Sequence, residues 1–339
     1  MKIKSIARVL SCLGGLSFCI SPVSAAVTVQ PSVFSFDTAE KYDTISIVPE
    51  GYVGTIDFAV ANIDKTPEKE IIVGYGNNDK PMVKVFSSVG QELFFWQPYV
   101  QSFKGGISIA VGDVNSDGQN EIITGPGPGG GSHIKVWSDN GRKLFSEFFA
   151  LPEKYRNGAN VAVGDVDGDN KLEIITSLVE NMKARIKTFD GTGKELSDKI
   201  SFAVESDLEP LPVKTLDLGS DGMQEIIVSA SVGNKPFVKI LRVDGSVVNE
   251  FYAYDKSFTG GVNLDVFKRN DERYIVTGAG FGGGPHIRFF DTFGKESKVP
   301  GFFPFPKDFT GGVKAVVSDL KNDGWYETVA MPVQPNISG

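Results

Sequence analysis

The chain has 339 residues, of which 41% are hydrophobic and 22% charged, and its formal net charge is −8. Acidity without basic clusters argues against nucleic acid and anionic membrane as partners, because both require Lys and Arg to neutralise phosphate.

Lys2, Lys4 and Arg8 precede an apolar run, Val9 to Ile20, and Val23-Ser24-Ala25 then supplies the small residues of a signal-peptidase site. Residues 1–25 therefore read as a secretory signal cleaved after Ala25, with Ala26 as the alternative. The run is too short for a stable anchor, and no other segment is apolar enough to span a bilayer. The expected destination is outside the cell, in the periplasm or at the cell surface. Cys12 and Cys19 leave with the signal, and the net charge becomes −11. An exported chain without disulfides needs another means of holding its loops, and bound metal is one candidate.

The remainder, 26–339, reads as one domain built from repeats. Ala110-Val111-Gly112-Asp113-Val114-Asn115-Ser116-Asp117-Gly118 recurs as Ala162-Val163-Gly164-Asp165-Val166-Asp167-Gly168-Asp169, and Glu121-Ile122-Ile123-Thr124 recurs as Glu173-Ile174-Ile175-Thr176. Weaker copies begin at Asn62, Asp217, Lys268 and Asp319. The anchors 62, 113, 165, 217, 268 and 319 are spaced by 51, 52, 52, 51 and 51 residues. Each unit carries one strand pattern, clearest in the second: Ile107–Val111, the acidic loop, Glu121–Thr124, a Gly-rich turn, His133–Trp137, a Gly turn and Leu144–Ala150. Asp190-Gly191, Asp244-Gly245 and Phe293-Gly294 mark the last turn elsewhere. Sustained helical periodicity is absent.

Four antiparallel strands per unit of about fifty residues is the pattern of a β-propeller blade. The last unit stops after its second strand, near Met331, while Val33–Phe36 and Thr44–Val48 read as a third and fourth strand. The expectation is an all-β, six-bladed propeller whose last blade is completed by both chain ends, which would leave no exposed sheet edge between first and last units.

The acidic loops carry the chemistry. Side chains at loop positions 1, 3 and 5, a carbonyl at 7 and a carboxylate at 9 can surround one hard cation with oxygens. Asp113, Asn115, Asp117, the Gln119 carbonyl and Glu121 fit, as do Asp165, Asp167, Asp169, the Lys171 carbonyl and Glu173, although Asn170 replaces the usual Gly. Thr124 and Thr176 stand where an EF-hand would have its last Glu. Oxygen ligands without His or Cys favour Ca²⁺ over zinc or copper. Asp217, Asp221 and Glu225 form a weaker set because Gly219 replaces a ligand. Asp319, Asp323 and Glu327 form the weakest, with Lys321 inside the loop. Two Ca²⁺ sites are expected, and up to four. The competing reading, polar turns without an ion, is strongest for the loops at Asn62 and Lys268.

On these residues the units resemble FG-GAP repeats, also described as VCBS repeats. The likeness rests on Asp113-Val114-Asn115-Ser116-Asp117-Gly118 with Glu121, its copy at Asp165, and Gly278-Ala279-Gly280-Phe281-Gly282. It implies calcium in these loops and a role in adhesion, ligand binding or surface display.

Two G-x-G-x-x-G matches, at Gly125 and Gly278, run into strands and not into the helix a dinucleotide site needs. His133 and His286 share a repeat position in opposite units, which could bring two imidazoles to one face. Phe103-Lys104-Gly105-Gly106, Phe258-Thr259-Gly260-Gly261 and Phe309-Thr310-Gly311-Gly312 read as a wedge between blades followed by an inward turn, and the many Phe residues as blade-to-blade filling. Asn336-Ile337-Ser338 is a glycosylation sequon. The leading expectation is a monomeric, non-catalytic binding or adhesion module for a protein or carbohydrate. The alternatives are a glycan-processing enzyme with a site at the channel mouth, and a structural envelope module.

Overall fold

The computed structural model describes residues 29–334 apart from 53, 77–79, 139–140 and 207. The signal segment with Cys12 and Cys19, Asp139 and Asn140 of one turn, and the sequon at Asn336 lie outside the described residues. No helix among those described is long and apolar enough to cross a membrane.

The chain begins with β1 (Ser32–Ser35) and β2 (Lys41–Thr44). Blade 1 follows as β3 (Ile56–Ala61), β4 (Glu70–Tyr75), β5 (Met82–Phe86) and β6 (Glu92–Trp96). Blade 2 is β7 (Ile107–Gly112), β8 (Glu121–Pro126), β9 (His133–Ser138) and β10 (Lys143–Phe149). Blade 3 is β11 (Asn160–Gly164), β12 (Glu173–Glu180), β13 (Lys183–Phe189) and β14 (Glu195–Ala203). Blade 4 is β15 (Val213–Leu216), β16 (Glu225–Ser229), β17 (Phe237–Leu241) and β18 (Val247–Tyr252). Blade 5 has β19 (Val262–Arg269), β20 (Glu272–Ala279) and β21 (Ile287–Phe290), and blade 6 holds β22 (Val313–Ser318) and β23 (Glu327–Pro332).

All pairings are antiparallel, and blade 6 has the order β2-β1-β23-β22. There β1 pairs with β23 from Ser32↔Ala330 to Ser35↔Glu327. The first strands touch in cyclic order, β3 to β7, β11, β15, β19, β22 and back to β3. This ring of six radial sheets is a β-propeller. Two expectations are corrected. The outer strand of blade 6 is Lys41–Thr44 and not Thr44–Val48, because Ile45, Ile47 and Val48 turn inward to the core between blades 6 and 1. Blade 5 has three strands. Pro300, Gly301, Pro304 and Pro306 interrupt the segment after Phe293, leaving single bridges Phe290↔Glu296 and Ile287↔Phe302 in place of a fourth strand.

The second strand of each blade is packed on both faces, which explains its unbroken apolar run: β4, β8, β16 and β23 are buried along their full length. Six apolar clusters result, one at each blade junction; Ile123, Ile134, Val161, Ile174 and Leu178 form the layer between blades 2 and 3. Aliphatic residues, not Phe, fill most of these layers. Phe34, Phe36, Phe267, Phe289 and Phe305 concentrate between blades 5 and 6, whereas Phe95, Phe145, Phe149 and Phe293 are exposed. Ile123, fully buried, is expected to cost about 2–5 kcal/mol on replacement by alanine, readable as a lower urea midpoint.

A belt of polar contacts crosses every junction around the central channel. Asp57 accepts the Ile109 amide at 2.9 Å, and Ser108 Oγ accepts the Val161 amide at 3.2 Å. Asn160 Nδ2 donates to the Pro210 carbonyl at 3.0 Å. Lys214 of blade 4 lies 3.8 Å from Asp265 of blade 5, and Asn263 Nδ2 donates to the Val313 carbonyl at 2.9 Å. Lys314 of blade 6 then donates to Asp57 of blade 1. Asp265 also accepts the Val317 amide at 3.1 Å.

Burial pushes the Asp265 carboxyl from 3.8 up to about 6, with Lys214 opposing the shift. A carboxyl whose folded pKa is raised binds more protons when folded, so its contribution favours the fold below about pH 4 and is lost as pH rises to about 6. Wild-type stability is therefore expected to fall across pH 4–6 relative to Asp265→Asn, in paired denaturant titrations. Parallel curves would refute it.

A second repeated pattern ties the outer strands. Lys84, Lys135, Lys187 and Lys239 lie 2.8, 3.5, 2.5 and 3.2 Å from Glu92, Glu147, Glu195 and Glu250, and Arg288 pairs with Glu296. Each cation also sits over an aromatic ring, closest for Lys239 at 4.3 Å from the Phe202 centroid.

Candidate metal loops

Each acidic loop joins the first strand of a blade to its second, so all lie at one end of the channel. Five share a contact. The carboxylate at position 9 turns back to accept the amide of position 2: Glu70 from Ile63 at 2.9 Å, Glu121 from Val114 at 3.1 Å, Glu173 from Val166 at 2.9 Å, Glu225 from Leu218 at 2.9 Å and Glu327 from Leu320 at 3.0 Å. At Glu121, Glu173, Glu225 and Glu327 the sequence pattern points only to an ion ligand. The glutamate also builds the loop, at the mouth of the second strand, where it is buried.

The turns also share left-handed residues. Ser116, Gly168, Ser220 and Asn322 at position 4 have φ of 61°, 83°, 59° and 55°. Position 6 is again left-handed: Gly118 at 85°, Gly222 at 88°, Gly324 at 87° and Asn170 at 63°. Asn170 thus performs the task of the missing glycine, as Asn does at low cost.

In the blade 3 loop, ligand atoms of Asp165, Asp167 and Glu173 lie within 4.8 Å of one another, the one such group among the described residues. Asp165 accepts the amides of Gly168 at 2.7 Å and Asn170 at 2.9 Å. Asp169 stands outside the group; it accepts the Lys171 amide at 2.8 Å and lies 3.5 Å from the Lys171 ammonium. Burial, together with Asp167, Asp165 and Asp169, pushes the Glu173 carboxyl up to about 7. A hard cation would relieve that crowding.

The blade 2 loop is closed on itself. Asp113 accepts the amides of Asp117 at 3.1 Å and Gly118 at 2.9 Å, while Asp117 accepts that of Gln119 at 2.9 Å. Asn115 Nδ2 donates to Asp117 at 3.0 Å and to Glu121 at 2.9 Å. The amide group bridges the two carboxylates, so a cation would require Asn115 to present its oxygen instead. Burial, then Asp117, pushes Glu121 up to about 7. The donor chemistry of both loops fits Ca²⁺, with blade 3 the better gathered.

The weaker loops diverge. At Asp217 the guanidinium of Arg273 donates to the Asp217 carbonyl at 2.6 Å and to Ser220 Oγ, placing a fixed positive charge on the loop. Asp221 accepts the Met223 amide at 3.1 Å, and Arg242 lies 4.0 Å from Glu225. At Asp319 the carboxylate accepts the amides of Asp323 and Gly324, each at 3.0 Å, and Asp323 that of Trp325 at 3.0 Å. Near Asn62, Thr66 takes the Asp64 carboxylate at 2.6 Å and Pro67 prevents the left-handed turn. In blade 5 the loop is reduced to two residues, Asn270 and Asp271, between β19 and β20.

The histidines do not converge. His133, at the start of β9, stacks on Phe149, and His286, just before β21, stacks on Phe303, with centroids 4.4 Å apart in both, and neither lines the axial channel. Phe103 lies over Gly105 and Gly130 of its own unit, and Phe258 over Gly260 and Gly283, so these rings cover the glycine turns, while Phe309 lies over Gly311 and also packs against the apolar layer between blades 5 and 6.

Residues 113–176 match the family model of the FG-GAP-like repeat, a span that contains both full acidic loops. Among solved structures, a lectin of Agrocybe aegerita, reported for its specific recognition of non-reducing terminal N-acetylglucosamine, aligns with 91% of this chain and 86% of its own. The identity is 17% and the TM-score 0.45. No curated protein matches.

Proposed function

We propose that the chain is an exported, non-catalytic binding module: a rigid propeller whose blade 2 and blade 3 loops hold Ca²⁺ and whose exposed loops recognise a protein or carbohydrate. The observation that carries the calcium reading is the gathering of Asp165, Asp167 and Glu173 ligand atoms within 4.8 Å. Asp113, Asn115, Asp117, the Gln119 carbonyl and Glu121 would hold a second ion, and the Lys171 carbonyl with Asp169 would complete the first. Bound Ca²⁺ neutralises the crowded carboxylates and stiffens the turns. The binding role is supported by architecture: six packed junctions and the polar belt hold the strands, and loops at both ends are free to vary and to engage a ligand. A glycan array and a surface pull-down in calcium buffer test it. Specific capture supports the reading, and absence of capture by calcium-loaded protein in both assays refutes it.

A further inference from the structure

A cavity of about 530 Å³ lies on the channel axis, lined by all six first strands and open at the end away from the acidic loops. That volume is in the range of small-ligand sites. The segments leading into the first strands repeat one position, eight residues before each anchor: Gly54, Gly105, Asn157, Glu209, Gly260 and Gly311, of which Gly105, Glu209 and Gly260 line the cavity. In three blades a side chain there is sterically excluded. A Cβ on Gly105 would stand 1.9 Å from the Pro128 carbonyl oxygen, on Gly260 2.0 Å from that of Phe281, and on Gly311 2.2 Å from that of Gln334.

Blades 3 and 4 depart from glycine there, and of the two only the blade 4 residue, in Glu209-Pro210-Leu211-Pro212, lines the cavity. The two prolines restrict the backbone, Leu211 is fully buried, and Asn160 holds the Pro210 carbonyl, so Glu209 stands on a rigid support. The other charged groups lining the cavity are matched: Asp57 by Lys314 and Lys214 by Asp265, while Lys104 is engaged as well. Among the described residues no charged neighbour or hydrogen bond acts on Glu209, and burial alone raises its carboxyl pKa. Glu209 is half-buried on the cavity wall, and a carboxylate so placed without a charged neighbour among the described residues is open to a cation from outside the chain.

We propose that the axial cavity binds an organic cation, an amine or guanidinium, with Glu209 as its anionic contact. This names a ligand chemistry for the binding module above and rests on that reading. The cation comes either from a free small molecule or from an Arg or Lys side chain of a protein partner.

Calorimetric titration of the whole chain in calcium buffer separates the two sources. Agmatine serves as the free cation, acetyl-Ala-Arg-Ala-amide as the peptide, and acetyl-Ala-citrulline-Ala-amide as the uncharged control. Wild type is expected to bind at least one cationic probe and not the control. Glu209→Gln, and Glu209→Gly, which restores the residue found at four of the six equivalent positions, should weaken binding roughly ten- to hundredfold. Glu205→Gln, on an exposed carboxylate paired with Lys235, should leave it unchanged. Binding of agmatine alone assigns a free ligand, and binding of the peptide alone a partner side chain. Absence of binding to wild type, or equal binding by Glu209→Gln, overturns the proposal. If Glu209→Gln captures the same array or surface partner as wild type, the cation site fails while the binding-module reading stands. A wild type that captures nothing removes both.

Discussion

Lys314→Met is expected to destabilise the protein by about 3 kcal/mol, because it strands the Asp57 carboxylate on the channel wall at the junction of blades 6 and 1. The side chains of Lys314 and Asp57 are only 12% and 23% exposed, so water compensates little. Asp57→Asn should cost less. Asn keeps an acceptor for the Ile109 amide, and burial already lowers the Lys314 pKa, so the stranded ammonium can shed its proton. The double variant should then be more stable than the sum of the single losses predicts, by roughly 1–2 kcal/mol. Urea unfolding of the four proteins at pH 7 measures this. Additive losses would mean that the pair contributes nothing as a pair and that the junction is held by its apolar layer alone.

Chelation should produce the second large effect. If the blade 2 and blade 3 loops bind Ca²⁺, each adds about 2.7 kcal/mol when free calcium is a hundredfold above the dissociation constant. EDTA is expected to lower the melting temperature by several degrees, and added Ca²⁺ to restore it. Asp165→Ala should remove most of one site's share, since Asp165 both belongs to the gathered carboxylates and accepts two amides of its own turn. Asp64→Ala should change the calcium response little, because Thr66 already occupies that carboxylate. An unchanged melting curve after chelation, in protein shown beforehand to hold metal, would refute calcium in these loops.

The blades were legible because the signals are local and repeated. Alternation marks the first strand, an unbroken apolar run marks the doubly packed second strand, and glycine turns separate the rest. The second unit shows this closely: Glu121–Thr124 was expected and Glu121–Pro126 is found. The polar belt escaped because its residues share a position and not a chemistry. Asp57, Ser108, Asn160, Asn263 and Lys314 are a carboxylate, a hydroxyl, two amides and an ammonium, and each makes sense only beside the next blade. Phe was misjudged for a related reason. Its abundance signals apolar surface, but only cross-strand partners decide whether a ring faces a neighbouring blade or, as with Phe95 and Phe145, the solvent. At the acidic loops, residue types foretold the donors but not their state. Asn115 donates its amide to two carboxylates, an orientation that composition cannot convey.

The bond from the position 9 glutamate to the position 2 amide separates the shape of a loop from its occupancy. It is present at Glu121 and Glu173, where the donors fit an ion, and equally at Glu70, where they do not. A blade can therefore lose or regain ligand residues one substitution at a time while its turn stays folded. In such an architecture the number of loops carrying a full ligand set can change without redesign of the ring. The loop at Asp217 keeps the left-handed residues Ser220 and Gly222 without the full ligand set, whereas the loop at Asn62 keeps the glutamate contact alone.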